Sequence, residues 1–219
     1  RRLLSLNYLV DQHPNRAIRE FNKILSNEFS PSMARPLALW GLERLGQLSD
    51  ARILNAMVDK QENMRVQAFK ICAERPDISQ VLSRSLAQGI RDRSPMVQRV
   101  AAAALSSHPE SKYLRLLLEF KSEIPQKDDH LAHRVKLSLR QIVKTLDNYQ
   151  LVKELFSNQD YRAHIQELLL AIPSSKSSQF LANNISDLTV DLKDSHTLFL
   201  HLVKNLPPND FVKLISLIP

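Results

Sequence analysis

The sequence concentrates its potential metal ligands at Asp128, Asp129, His130 and His133. On a helix, His130 and His133 would share one face, with two carboxylates at the start of that helix. A zinc site needs three or four ligands held in a firm geometry. We favour the alternative, a capped helix start at which the acidic residues are stabilised by the helix dipole and one histidine lies on the surface. The sequence therefore predicts no metal and no cofactor.

The rest of the sequence lacks a catalytic pattern. Its 3 Gly residues form no GxxxxGK[ST] phosphate loop. The single cysteine, Cys72, excludes an intramolecular disulfide and a CxxCH haem site, and its apolar surroundings predict core packing. His196 and His201 are five residues apart and would point away from each other on a helix. No residue is predicted to be catalytic, and the chain by itself is not expected to be an enzyme.

Trp40 and a group of arginines are the candidates for a binding surface. Trp40 lies in an apolar helical segment, which favours core packing over the alternative of an exposed aromatic platform. The densest basic run consists of Arg84, Arg91, Arg93 and Arg99. Contacts to phosphate need such charges, but a DNA-binding surface needs a longer stripe of them. Solvated turn residues are therefore the favoured interpretation of these arginines.

The net charge of +7, from 30 Lys and Arg against 23 Asp and Glu, is spread along the chain. A nucleic-acid-binding protein usually concentrates its charge on one face, so the composition does not favour nucleic acid as a partner. The longest apolar run, Leu168 to Ile172, is far shorter than a membrane span. We expect no membrane insertion.

Helical periodicity dominates the chain, and the low glycine content argues against the tight turns of a β-sandwich or barrel. Ser30-Pro31 and Ser94-Pro95 each place a capping hydroxyl before a proline, as at a helix start. Apolar residues recur at i, i+3, i+4 and i+7 in four segments. These stripes are Tyr113, Leu116, Leu117 and Phe120; Ile165, Leu168, Leu169 and Ile172; Phe199, Leu202, Val203 and Leu206; and Phe211, Leu214, Ile215 and Ile218.

A short pattern repeats along the first half of the chain. Ala34-Arg35-x-x-Ala38, Met64-Arg65-x-x-Ala68 and Val97-Gln98-x-x-Ala101 are spaced 30 and 33 residues apart, and looser copies begin at Ile18 and Leu131. Each copy is predicted to open the second helix of a pair, where the small Ala lets two helices approach closely. A period of this length predicts stacked helical hairpins.

This pattern resembles the HEAT repeat, in which the second helix opens with an acidic turn followed by Val-Arg-x-x-Ala. Asp59 precedes Met64-Arg65, and Asp92 precedes Val97-Gln98, with Gln in place of the usual Arg. The resemblance implies that the arginine and the turn aspartate pack between neighbouring repeats as a polar ladder. Its members here would be Arg19, Arg35, Asp59, Arg65, Asp92 and Gln98.

A narrower resemblance runs from about His13 to Val212, and its most specific stretch is Ala38-Leu39-Trp40-Gly41-Leu42-Glu43-Arg44-Leu45-Gly46. This segment is similar to the HEAT region of the large membrane-bound dehydrogenase, or haem-binding, proteins of planctomycetes, verrucomicrobia and Bacteroidetes. In those proteins, a domain that resembles a sugar-dehydrogenase propeller comes first. The HEAT repeats follow it, and a c-type cytochrome that carries CxxCH comes last. Neither the propeller nor the CxxCH motif lies in this chain, so their redox chemistry is not carried over to it.

Together these patterns predict an all-α chain that forms an α-α superhelix, a solenoid of about six HEAT-like or armadillo-like helical hairpins. We expect a single repeat domain over residues 1–219. Its first repeat would be irregular to about residue 46, its repeats regular over about 47–146, and its last repeats divergent over about 147–219. The start on Arg1 and the apolar last helix predict a fragment of a longer multidomain protein.

The predicted function is a non-catalytic scaffold or protein-interaction module. By resemblance, it would be the spacer between the propeller and the cytochrome of a larger extracytoplasmic, periplasmic protein, in contact with a protein partner or with the flanking domains. Two alternatives stay open. One is a nucleic-acid-binding HEAT module that resembles the alkylpurine DNA glycosylases, and the other is a metal or redox module. The sequence does not indicate whether the chain is a monomer or an oligomer.

Overall fold

The computed structural model describes residues 8, 10–27, 29–125, 127–188 and 192–215, apart from the side chains of 192–194 and 213–215. Within these residues the regular secondary structure is helical and no β-strand occurs, so the all-α prediction is confirmed. The α-helices are α1 (Pro14–Ser26), α2 (Ala34–Arg44), α3 (Asp50–Met57), α4 (Glu62–Glu74), α5 (Gln80–Gly89), α6 (Pro95–Ser107), α7 (Tyr113–Glu123), α8 (Asp129–Thr145), α9 (Gln150–Ser157), α10 (Gln159–Leu170), α11 (Ser175–Asn183), α12 (Leu192–Asn205) and α13 (Pro208–Ile215).

Helix starts follow the local signals in part. Ser94 caps α6 as predicted, because its hydroxyl oxygen accepts a hydrogen bond from the backbone N–H of Val97 at 3.4 Å. Ser30 does not cap a helix, since α2 begins only at Ala34 and the Ser30 hydroxyl donates back to the carbonyl of Ile24 at 3.0 Å. At Ser30 the turn offers the hydroxyl a backbone acceptor, and that local bond takes the place of a helix cap.

One compact unit of the chain holds the residues up to His108 together with Asp128–Arg134. In this first unit α3 packs against α4, and α5 packs against α6, so that consecutive helices form hairpins. The second helices of successive hairpins also touch, since α2 contacts α4 and α4 contacts α6. Ala38, Ala68 and Ala101 are buried on these three helices. Their small side chains leave room for the close approach that the repeated pattern predicts.

The second unit holds Pro109–Lys127 and the residues from Val135 onward. Here α9 packs against α10, α10 against α11, and α11 against α12. The apolar stripe from Ile165 to Ile172 is buried as predicted, and the stripe that begins at Tyr113 is buried apart from the half-exposed Leu116. In the part of the chain that the structure describes, no helix combines the length and the apolarity needed to cross a membrane.

The buried face of α12 differs from the predicted stripe. Phe199 and Val203 are 59% and 46% exposed, whereas Leu198, His201 and Leu202 are buried. The sequence carries two apolar faces on this helix, and they lie about 100° apart. Packing against α11 selects the face that contains Leu198 and Leu202. The predicted stripe from Phe211 to Ile218 mostly lies outside the described side chains.

Glycine is required where α2 ends. Gly46 has a φ of +65°, in the left-handed region that other residues avoid. The Gly46 N–H donates to the carbonyl of Glu43 at 2.9 Å, and the Gln47 N–H donates to the carbonyl of Leu42 at 2.8 Å. This pair of bonds is a Schellman motif, which satisfies the last carbonyls of the helix and turns the chain toward α3.

Glycine also permits one close approach between helices. A Cβ atom at Gly89 would lie 2.3 Å from the Phe69 ring and 2.7 Å from the Cβ of Ala101. Phe69 and Ala101 are buried on α4 and α6, where neither can move freely. The end of α5 therefore reaches the other two helices only because residue 89 lacks a side chain.

We expect Gly89→Ala to lower the free energy of unfolding by about 2 kcal/mol, because the clash outweighs the gain of about 1 kcal/mol in helix propensity. Urea titration followed by circular dichroism measures the change. Gln88→Ala, at the exposed neighbouring position, is the matched control and should change stability by less than about 0.5 kcal/mol. A stabilised Gly89→Ala variant would contradict the close approach.

Candidate interaction grooves

Two adjoining grooves open on the first unit, each at a seam between successive helical hairpins. The first groove, of about 470 Å³, lies between the end of α1, the start of α2 and the length of α3. The second groove, of about 720 Å³, lies between α3, α4, α5 and the turns that follow α3 and α5. Asn55 and Asp59 line both grooves. Both volumes fall within the range of ligand-binding clefts.

A bidentate ion pair forms part of the wall of each groove. In the first groove, Arg35 donates from both terminal nitrogens to Asp59, with 2.5 Å between Nη2 and Oδ2. In the second groove, Arg65 donates from Nε and Nη2 to Asp92 at 2.8 and 3.0 Å. The side chains of Arg65 and Asp92 are only 5% and 13% exposed. Each pair joins one hairpin to the next.

The two aspartates also shape the turns from which they project. Asp59 accepts a bond from the N–H of Gln61, and Asp92 accepts one from the N–H of Ser94, both at 2.8 Å. A carboxylate that accepts from the backbone two residues later forms an Asx turn. Arg65 also donates from Nη1 to the carbonyl of Asp59 at 2.9 Å. One guanidinium group therefore ties its own turn to the turn of the next hairpin.

The next repeat keeps only half of this arrangement. Gln98 donates from Nε2 to the carbonyl of Asp92 at 2.7 Å. This bond matches the one from Arg65 to the carbonyl six residues before it. A neutral amide cannot form the second, charged half of the arrangement, an ion pair with a carboxylate of the following repeat.

Arg19, which the resemblance placed in the same ladder, is exposed on α1. It has no ion-pair partner among the described residues. The buried residues of α1 are Ala17 and Phe21, one turn apart, and Arg19 lies on the opposite side of the helix. The expectation that Arg19 packs between repeats is therefore wrong.

The ion pair between Arg65 and Asp92 in the second groove lowers the pKa of the Asp92 carboxylate. Burial by itself raises the pKa of Asp92, but the hydrogen bonds from Arg65 and from the N–H of Ser94 outweigh that effect, helped by the positive charge of Arg65. The pKa of Asp92 is therefore held below its usual range. The folded state gains stability from the charged form of this carboxylate.

A second polar cluster, which the sequence did not reveal, lies around Arg75 directly after α4. Arg75 donates to both carboxylate oxygens of Glu43 at 2.8 and 2.6 Å, to Asp50 at 3.0 Å and to the carbonyl of Leu48 at 2.8 Å. These partners lie 25 to 32 residues earlier in the chain. They belong to no recognisable motif, although the repeat period of about 30 residues could have suggested the pairing.

The position one repeat after Arg75 holds His108. Its Nε2 lies 2.7 Å from the carbonyl oxygen of Cys72, in the last turn of α4. A side-chain donor at this place satisfies a carbonyl that the helix leaves without a partner. Cys72 itself is fully buried, and burial raises the pKa of its thiol to about 12. This thiol therefore packs in the core and is poorly suited to nucleophilic chemistry.

The candidate binding residues do not form one surface. Trp40 is half-buried, and its indole N–H donates to Gln67 Oε1 at 3.0 Å, so the ring contributes to the packing between α2 and α4. Among the four candidate arginines, only Arg93 lines a groove. It is exposed, as are Arg84 and Arg91, whereas Arg99 is half-buried and donates to the carbonyl of Pro95.

The candidate metal ligands lie at the start of α8. Asp128 accepts a hydrogen bond from the N–H of Leu131 at 3.0 Å and so caps this helix. Asp129, His130 and His133 are exposed. In the part of the chain that the structure describes, no three His, Cys, Asp or Glu side chains come together as metal ligands. The structure thus places Asp128 at a capped helix start, as expected, and both histidines are exposed where one was expected to be.

A serine and a histidine meet in the core of the second unit. Ser177 Oγ lies 3.2 Å from His201 Nε2, although the two residues are 24 positions apart. Both are buried, and the Ser177 hydroxyl also lies 2.5 Å from the carbonyl of Ile172, to which it donates. Burial lowers the pKa of His201, while a bond to the carbonyl of Leu170 acts against this shift. With no exposed face, this pair links α11 to α12 and does not present a nucleophile.

Comparison of the chain with models of protein families, with curated proteins and with solved structures found no match. The resemblance to dehydrogenase-associated HEAT segments therefore stays a prediction. The functional argument rests on the chemistry of the two grooves and of the side chains that line them.

We expect Arg65→Met to destabilise the fold by about 3 kcal/mol, because it leaves the buried charge of Asp92 without its partner. The free energy of unfolding in urea measures this loss. Arg115→Met is the matched control, since Arg115 pairs with Glu154 through side chains that are 49% and 61% exposed. Breaking that surface pair should cost less than about 1 kcal/mol. Equal losses in the two variants would refute the role of burial.

The lowered pKa of Asp92 predicts a specific dependence on pH. A carboxylate whose pKa is depressed by folding stabilises the folded state above about pH 4, and this stabilisation is lost as the pH falls through the lowered value. Asp92→Asn keeps an oxygen for the Ser94 N–H and removes the charge. We expect the variant to have a lower free energy of unfolding than the parent chain at pH 6. This difference in free energy should shrink toward pH 3. A gap that stays constant in urea titrations over this range would contradict the prediction.

Proposed function

We propose that this chain is a non-catalytic scaffold that binds other proteins, built as a solenoid of HEAT-like helical hairpins. The observation that carries the proposal is the pair of adjoining grooves, one at each of two successive seams of the first unit. Hairpins that stack at a regular interval create such grooves repeatedly, and repeat proteins use extended surfaces of this kind to bind partners.

The composition of the groove walls supports a protein ligand. Apolar side chains such as Leu54, Met57 and Val58 lie beside amide and charged groups in the second groove. Protein-binding surfaces combine an apolar centre with a polar rim in this way. The ion pairs Arg35–Asp59 and Arg65–Asp92 hold the seams together, so the groove walls are preformed and binding costs little ordering entropy.

The position of the chain within a larger protein is a separate proposal. By resemblance, it would connect a dehydrogenase-like propeller to a c-type cytochrome outside the cytoplasm, and its partners would then include those flanking domains. The open reading frame on both sides of the chain tests this directly. A propeller before the chain and CxxCH after it would support the proposal, whereas other domains in both places would remove it.

Selection of random peptides displayed on phage against the immobilised chain tests protein binding. We expect the selected peptides to converge on one motif, because a preformed groove accepts a limited set of side chains. The synthesised motif should bind the folded chain in fluorescence anisotropy and should lose that binding in urea. Repeated selections without a shared motif would remove the proposal.

The alternative function, binding of nucleic acid, is motivated by the net charge of +7 and by the exposed Arg84, Arg91 and Arg93. Titration of duplex DNA at several salt concentrations separates the two functions. Binding that weakens steeply with salt would indicate that cations of the chain replace counterions on the phosphates. We expect DNA binding to be absent near 0.15 M salt.

A further inference from the structure

The two grooves follow each other along the first unit because Asn55 and Asp59 form a wall of both. Helices that pack side by side have axes about 8 to 10 Å apart. Neighbouring seams are thus separated by about that distance. A polyproline II segment rises about 3.1 Å per residue and completes one turn in three residues. Every third side chain of such a segment therefore points the same way at an interval of about 9 Å, which matches the seams.

The unpaired charge of the second groove is positive. Both of its carboxylates are already engaged, Asp59 by Arg35 and Asp92 by Arg65. The ammonium group of Lys60 is exposed and has no partner among the described residues. Arg93 is also exposed and donates one bond, from Nη2 to the carbonyl of Lys60 at 3.3 Å. Both residues line this groove, and Arg93 contacts the backbone of Lys60, so two exposed cationic side chains are available to an anionic ligand.

The same groove offers apolar surface and free amide groups. Val58 is 76% exposed, and Met57 and Phe69 are buried residues of the same lining. The side-chain amides of Asn55 and Gln88 are exposed and have no partner among the described residues. Amides in such positions can donate to and accept from the backbone of an extended peptide, which has no internal hydrogen bonds of its own.

From this arrangement, we propose that the two grooves bind an extended acidic peptide segment of a partner protein. An apolar side chain would enter each seam at every third residue, and the carboxylates between them would meet Lys60 and Arg93. The inference rests on the proposed protein-binding function and specifies the chemistry of the partner.

The described lining favours a peptide over a nucleic acid. A groove that follows a nucleic-acid backbone needs a row of cations and exposed aromatic rings on which bases stack. The cations of the described lining outside the two ion pairs are Lys60 and Arg93 in the second groove and Arg52 in the first, which is too few for such a row. Phe69, the aromatic residue of the second groove, is 2% exposed. The apolar anchor and the amide groups are the features that a peptide uses and a phosphate backbone does not.

The probe is a fluorescein-labelled peptide of four Pro-Leu-Glu triplets, in which proline holds the extended conformation and leucine recurs at every third residue. We expect it to bind the full chain in fluorescence anisotropy at low ionic strength. The peptide with Gln in place of Glu tests the charge, and the peptide with Ser in place of Leu tests the apolar anchor. Each replacement should weaken binding by about tenfold or more.

Variants of the chain locate the site. The double variant Lys60→Glu with Arg93→Glu should weaken binding by about tenfold or more, and Asn55→Trp should block both grooves at their shared wall. The matched control is Lys70→Glu with Arg19→Glu, which changes the net charge equally at exposed positions that line neither groove. It should change the affinity by less than about twofold. Circular dichroism checks that all variants fold.

Several results would overturn the inference. These are absence of binding, equal weakening by the two double variants, or unchanged affinity after the exchange of Leu for Ser. Duplex DNA that loses affinity in the Lys60→Glu and Arg93→Glu variant would assign the site to nucleic acid instead. A phage-selected motif without acidic residues, or one insensitive to Lys60 and Arg93, would overturn this inference and leave protein binding intact. Selections without any shared motif would remove both.

Discussion

Arg65 reaches from the start of α4 to two turns at once. Its guanidinium group donates to the carboxylate of Asp92 in the following hairpin and to the carbonyl of Asp59 in its own. A buried arginine needs all of these acceptors, because any donor left without one would cost free energy. The directions of these hydrogen bonds, together with apolar contact, therefore fix the position of one hairpin on the next. One repeat earlier, Arg35 joins its hairpin to the next by its two bonds to Asp59, while its buried Nε has no hydrogen-bond partner among the described residues.

The opposite ends of the same helices are joined by a different set of contacts. Arg75 connects the end of α4 to Glu43 and Asp50, and His108 meets the carbonyl of Cys72. Between the two ends the packing is apolar and close, as the clash of a Cβ atom at Gly89 with Phe69 indicates. Polar contacts thus define the seam at both ends, while small residues let the helices approach in the middle.

The same ion pairs determine the chemistry of the grooves. Because Asp59 and Asp92 are neutralised by Arg35 and Arg65, they contribute no net negative charge to the surface. What a ligand meets is the positive charge of Lys60 and Arg93 beside the apolar side chain of Val58. A contact that stabilises the fold therefore also sets the electrostatic character of the proposed binding surface.

The sequence by itself determined the helices, the small Ala38, Ala68 and Ala101 on their buried faces, and the positions of Arg35 and Arg65 in the first turns of two helices. These features depend on residues within a few turns of each other, where helical periodicity acts directly. Only the tertiary structure decided the partners of Arg75, the meeting of Ser177 with His201, the burial of Leu198 in place of Phe199, and the two grooves. Each of these joins residues far apart in the chain, or chooses between two apolar faces, and that depends on how whole helices pack.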